Sequence, residues 1–232
     1  MTASRTSKAE RTKALIVETA IDLFIEQGYE ETTMRQIAQK ADVAIGSAYY
    51  YFGSKEHLVQ ALYQRMHDQQ VVAFEDVLKS KQTLKERLLG ILLAELQVLE
   101  PYHKISLTLF KHAADPSSPL SPFSPESQPI RDKSIAVFER LVEGASERFP
   151  DDLKAELPYL LWMYQMGVVL FWLHDRSLFH IRSQKLIQHS VEIISMLITF
   201  GSLPLMKPLR VKLLNLLADL RLDNPFSEPA IS

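Results

Sequence analysis

Apolar and polar residues nowhere alternate with the period of two that a half-buried strand needs; wherever a pattern exists, it repeats every three or four residues. That confines the chain to an all-α fold. Spacing and capping signals predict helices over about 10–27, 33–41, 44–52, 55–79, 84–99, 102–114, 130–148, 153–174, 183–201 and 208–221. With 232 residues, 47% of them apolar, there is material for one small domain and one larger one. The boundaries drawn are 1–54 for an N-terminal arm and three-helix head, 55–222 for a helical body, and 223–232 for a tail with little that could pack. The helical pattern breaks at Asp115 to Pro129, DPSSPLSPFSPESQP, whose five prolines and five serines predict an extended, exposed loop.

Several function classes are set aside by composition. The 7 glycines are dispersed, so none can combine into a phosphate-cradling loop. Cysteine is absent, which removes disulfides, thiolate metal sites and cysteine nucleophiles and suits a reducing, cytoplasmic setting. The 7 histidines lack HxxxH or HExxH spacing, and no serine triad or paired-carboxylate site is present. No enzyme activity, cofactor or metal is therefore expected. The longest apolar stretch, Leu157 to Leu173, contains Pro158, Gln165 and Gly167 and falls short of the roughly 20 residues that a bilayer demands, so it reads as a buried helix and no membrane partner is expected. Residues 1–13 carry Arg5, Lys8, Arg11 and Lys13 without an apolar run behind them, which reads as a basic arm rather than a secretory signal. The arm either tracks phosphates or merely aids solubility.

Local placement within the head is more informative than its bulk charge, since residues 1–66 hold eight Lys/Arg against eight Asp/Glu. Gly28 is a natural stop for the first helix. Thr33 and Gln36 form a capping-box pair that opens the second. Asp42 falls where the chain must turn sharply, and Asp tolerates left-handed backbone there. Three short helices with a tight turn between the second and third are the geometry that puts a recognition helix into the DNA major groove. Small alanines (Ala38, Ala41, Ala48) permit the close crossing of the second and third helices. Left on the outer face are Ile45, Gly46, Ser47, Tyr49, Tyr50 and Tyr51, none of them charged, with one tyrosine of the three expected to be partly structural. Lys55 opens the next helix, where a cation is unfavourable unless an anion such as a phosphate lies opposite.

Residues 11 to about 62, above all TTMRQIAQKADVAIGSAYYYFGSKEHL, resemble the DNA-binding domain of TetR-family repressors. The resemblance implies that Ser47, Tyr49, Tyr50 and Tyr51 face DNA, that Thr33 and Lys55 hold phosphates, and that Ala48 and Phe52 are core. It also implies a homodimer on double-stranded operator DNA and repression relieved by a small-molecule effector. Ala44 departs from the family's frequent capping serine, and Ile45 from a polar or basic residue. Readout would then lean on thymine methyls, backbone contacts and DNA shape.

In the body, helix 153–174 is apolar nearly all round and must be covered on every side. A second subunit is the simplest cover, with Leu161 and Val168 of this helix meeting Leu186, Ile187, Ile193, Ile194, Leu197 and Ile198 of the next in a four-helix bundle. Candidate walls of an effector pocket are Tyr102, Phe110, Trp162, Tyr164, Gln165, Met166, Phe171, Trp172 and His174, which would suit a bulky, largely apolar molecule. Such a stripe is more often plain core. The rival to a regulator is a helical small-molecule-binding or interaction protein whose helix-turn-helix is vestigial.

Overall fold

A computed structural model describes residues 8–219. Every regular element among them is helical: α1 (Lys8–Gln27), α2 (Met34–Lys40), α3 (Ile45–Tyr51), α4 (Lys55–Ser80), α5 (Leu84–Leu99), α6 (His103–Ala113), α7 (Gln128–Glu143), α8 (Asp151–His174), α9 (Ile181–Gly201) and α10 (Lys207–Asp219), with single 3-10 turns before α6, α9 and α10. The all-α expectation holds. Arg5 and the tail 223–232 lie outside the described residues, whereas Lys8, Arg11 and Lys13 already belong to α1 rather than to an irregular arm.

Two apolar cores organise the chain. The first joins Ile16, Ala20 and Phe24 of α1 to Ile37 and Ala38 of α2, Ala48 of α3 and Leu58, Val59 and Leu62 of α4. It also takes in Tyr102, Ile105, Leu109 and Leu120 from later in the chain. Segment 1–54 therefore does not close its own core, because the start of α4 and Ile105 and Leu109 of α6 complete it. The second core packs α4, α5, α7, α8 and α9 around Leu88, Ile91, Leu92, Leu141, Leu161, Trp172 and Ile187. Helix α4 runs through both. Among the described residues no single helix is long and apolar enough to cross a membrane.

Buried arginines fasten the helix ends. Arg87 donates to the carbonyls of Leu78 (2.9 Å) and Lys81 (3.0 Å) at the end of α4 and of Arg140 (3.0 Å) near the end of α7. These are carbonyls that helix termini leave without partners, at the end of the dipole that favours a cation. Helix α7 stops at Glu143, short of the expected 148, where Gly144 presses on this guanidinium: a Cβ at 144 would stand 2.4 Å from Arg87 Nη2. Arg210 in turn ties α10 to Asp152 at the start of α8 (2.9 Å) and to the Gly201 carbonyl at the end of α9 (2.6 Å).

The segment after α6 is not the extended, exposed loop that its prolines suggested. Ser118, Ser121 and Ser124 recur every third residue, each N–H closing a turn on the carbonyl three residues earlier at 3.0 Å. The hydroxyls of Ser118, Ser121 and Ser124 accept from downstream amides, so the serines supply the backbone partners that a helix would have supplied. This spiral turns Leu120 into the first core and Phe123 onto Trp162 of the second. Arg131 grips it through the carbonyls of Pro122 and Ser124.

Candidate nucleic-acid interface

Gly28, at φ +94°, turns the chain out of α1, and Thr33 then caps α2. The Thr33 hydroxyl accepts from the Gln36 N–H at 3.2 Å while the Gln36 side chain accepts from the Thr33 N–H at 2.8 Å. Asp42 adopts φ 52°, as the sharp turn required, and the Val43 N–H returns to the Ala38 carbonyl at 3.0 Å. The third helix then starts at Ala44, which offers no side-chain cap.

Ala48 and Phe52 face inward and are almost wholly enclosed, which fixes the rotation of α3. Ile45, Tyr49 and Tyr50 are thereby turned out, at 46%, 50% and 83% exposure. Gly46 is exposed beside them, and Ser47 is half-buried. Tyr51 packs partly against the first core, its ring edge-on to Tyr50 at 5.2 Å between centroids, and is the partly structural tyrosine of the three.

Lys55 is held differently from the sequence expectation. Its ammonium donates to the carbonyls of Tyr29 (2.7 Å) and Glu30 (3.3 Å) and lies 4.3 Å from the centre of the Tyr29 ring. Carbonyls thus occupy two of its three donors, leaving one for an external anion. Tyr29 also donates to Glu56 at 2.8 Å, and burial followed by this carboxylate raises the phenol pKa. Arg35 was missed from the sequence: it is exposed in the first turn of α2 with no ion pair among the described residues, whereas Lys40 is paired with Glu26. The available signal was a cation one residue inside a capped helix start.

In the body, the nine candidate effector residues divide by exposure. Trp162, Gln165 and Trp172 are buried and Phe110, Tyr164 and Met166 half-buried, but Phe171 and His174 are exposed. Tyr102 belongs to the first core, its hydroxyl 3.2 Å from Gln69. Two surface clefts, of about 280 and 320 Å³, lie elsewhere, against α1 with Arg65 and between α7 and α8. What the sequence reading passed over is Glu95, set among leucines on α5 and buried against Gln165. Of the candidate dimer residues, Leu161, Val168 and Ile187 are enclosed in the protomer's own core, a correction, because a helix apolar all round gives no sign of which side its own chain covers. Leu186, Ile194 and Ile198 are half-buried, and Ile193 and Leu197 stand exposed together with Met196 and Phe200. Those last four form one stripe on α9.

Comparison with known proteins gives two family matches. Residues 16–62 match the bacterial regulatory proteins of the tetR family, and residues 87–210, more than half of the chain, match the tetracyclin repressor-like C-terminal domain. The chain belongs to the TetR family. Over 88 residues it is 34% identical to the HTH-type transcriptional repressor KstR2 of Mycobacterium tuberculosis, covering 38% of this chain and 44% of that protein. The chain therefore matches less than half the length of that curated relative. In fold it is similar to the TetR transcriptional regulator from Nitrosomonas europaea, with a TM-score of 0.60 at 16% identity over 79% of this chain and 97% of that one. It is also similar to the transcriptional regulator FadR from Bacillus subtilis, solved in complex with stearoyl-CoA, with a TM-score of 0.59 at 18% identity over 77% and 96% of the two chains. The first match ends within α4 and the second begins within α5.

Proposed function

We propose that this chain is a cytoplasmic TetR-family transcriptional repressor that binds operator DNA as a homodimer and is released by a bulky, largely apolar small molecule. The division proposed is a DNA-binding head at 1–54, an effector and dimerisation body at 55–222 and a tail at 223–232, with α4 shared between head and body. The observation that carries the reading is the outward, uncharged face Ile45, Tyr49 and Tyr50 on a short helix whose other side is locked into the core. An exposed aromatic face is costly in water and suits thymine methyls and sugar edges in a groove. Thr33, Gly46, Ser47 and Tyr51 flank it, and Lys55 with Arg35 would take phosphates.

The body reaches the head through α6. His112 stands 2.8 Å from Glu30 and its ring 4.8 Å from that of Tyr29, whose carbonyl holds Lys55. Gln60 of α4 donates to the Pro119 carbonyl of the serine-proline spiral at 2.8 Å. An effector that favours one arrangement of α4 and α6 would reset the spacing of two heads; without differential affinity nothing would move. The test is a gel shift on the DNA upstream of the gene. Tyr50→Ala should lower affinity for the operator while sparing bulk DNA. Lys55→Ala should weaken binding to all sequences and reduce the salt slope by about 1 per lost contact. A sequence-selective loss in Lys55→Ala would assign the lysine a different role.

A further inference from the structure

Glu95 lies in the middle of the second core with no cation near it: among the described residues no salt bridge includes it. Its Oε1 accepts from the side-chain amides of Gln165 on α8 and Gln70 on α4, the latter at 3.2 Å. Its Oε2 is enclosed without a hydrogen-bond partner, and so is Gln165 Oε1. Two turns along the same face of α8, the indole N–H of Trp172 is also buried and unpartnered. Burial pushes the Glu95 carboxyl up to about 8, the Gln165 hydrogen bond acting weakly the other way. The neighbours in helical register are apolar, Leu92 and Leu99 on α5 and Leu161 and Val168 on α8. A leucine in place of Glu95 would pack here without the desolvation cost, so these unfilled acceptors call for a partner that the free chain lacks.

The chemistry of that partner follows from counting. With its pKa at about 8 the free-chain carboxyl keeps a proton at neutral pH, so a ligand that displaces this proton must bring the positive charge itself, together with donors for Glu95 Oε2 and Gln165 Oε1. A hydroxyl brings one donor and no charge, whereas a ketone or carboxylate brings neither. An ammonium brings two or three donors on one atom together with the charge. We propose that Glu95, Gln165 and Gln70 form the polar end of the effector site and that the effector is an apolar molecule bearing a primary or secondary ammonium group. This rests on the regulator reading for its consequence, since Gln70 lies on α4 fifteen residues from Lys55, roughly 22 Å along the helix. A cation taking over the carboxylate would loosen the Gln70 bond and so act on the helix that carries the head.

The test uses the full chain and two matched series, decylamine with 1-decanol and decanoate, and 1-adamantanamine with 1-adamantanol and adamantane-1-carboxylate. Calorimetry below micelle-forming concentrations should show one amine per protomer in at least one series, bound at least tenfold more tightly than the alcohol, with no binding of the acid. Glu95→Gln, of equal length and uncharged, should lose at least tenfold toward the amine while melting cooperatively. Failure of both amines to bind, equal affinity for amine and alcohol, or full amine affinity in Glu95→Gln overturns the proposal. The two matched series on the unaltered chain need no variant to fold. A gel shift run without any amine separates the two readings. Amine binding without operator binding would sink the regulator and leave the Glu95 site standing, while operator binding with no amine response would sink the site alone.

Discussion

Two buried carboxylates of this chain titrate in opposite directions, and the difference is a matter of hydrogen-bond supply. Asp175 receives the N–H and hydroxyl of Ser177 at 2.9 and 2.7 Å and those of Ser183 at 2.8 and 2.7 Å. Burial alone would raise its pKa, but these four bonds outweigh it and hold the carboxyl well below the usual carboxylate range. Its charge also sits at the start of α9, where the dipole favours it. Because the folded pKa is depressed, the stabilisation is present above pH 4 or so and is lost as pH falls further. Asp175→Asn should therefore cost about 2–3 kcal/mol at pH 7, read by chemical denaturation, with the deficit shrinking in acid. Glu95, raised to about 8 by burial, behaves the other way. Between roughly pH 4 and 8 the unfolded chain gives up a proton that the folded one keeps, so stability declines across that window and levels off above it. Glu95→Gln removes the slope: its melting temperature should gain on the unaltered chain steadily from pH 5 to pH 8, and a constant gap would contradict the buried, uncompensated carboxyl.

The recognition helix is the element with the least local support, since Ala44 gives it no side-chain cap and only seven residues follow. Ala44→Ser supplies an acceptor for the first turn and should stabilise the chain by about 1 kcal/mol in thermal melts, without moving Ile45 or Tyr50. An unchanged melt would mean that packing of Ala48 and Phe52 alone sets this helix. The head was readable in the sequence because each of its devices is local: the Thr33 and Gln36 box, the Gly28 stop and the left-handed Asp42 all act within four residues. Elements decided by distant partners were not. The prolines of the serine-proline spiral point to an exposed loop, but its fate depends on Arg131 and on two cores that receive Leu120 and Phe123. By spacing, Leu209, Leu213 and Leu217 share one face of α10, yet the helix packs through Leu214 and Arg210, leaving Leu209 and Leu213 exposed, because the bond to Asp152 sets its rotation. Periodicity shows which residues share a face of α8, and Glu95 shows its limit, as a lone acid in a leucine row carries no local mark of burial.

At the scale of the whole molecule, the single chain leaves a broad apolar surface uncovered along Leu170 and Phe171 of α8 and Ile193, Met196, Leu197 and Phe200 of α9. Apolar exposure of this extent marks an interface, and a second copy of the chain is the occupant that the TetR-family reading requires. Met196→Lys with Phe200→Asp should split the dimer in sedimentation experiments, the cost of about 3 kcal/mol or more weakening association by on the order of a hundredfold. The unaltered chain sedimenting as a monomer would remove the basis for two recognition helices acting together. Whether the two helices act jointly is decided by a hydroxyl-radical footprint of the protein on DNA upstream of its gene. Two protected half-sites related by a two-fold axis are expected, with centres about one helical turn apart or a multiple of it, both lost together in Tyr49→Ala with Tyr50→Ala. Protection of a single unpaired site, or the same pattern after both tyrosines are removed, would contradict joint action.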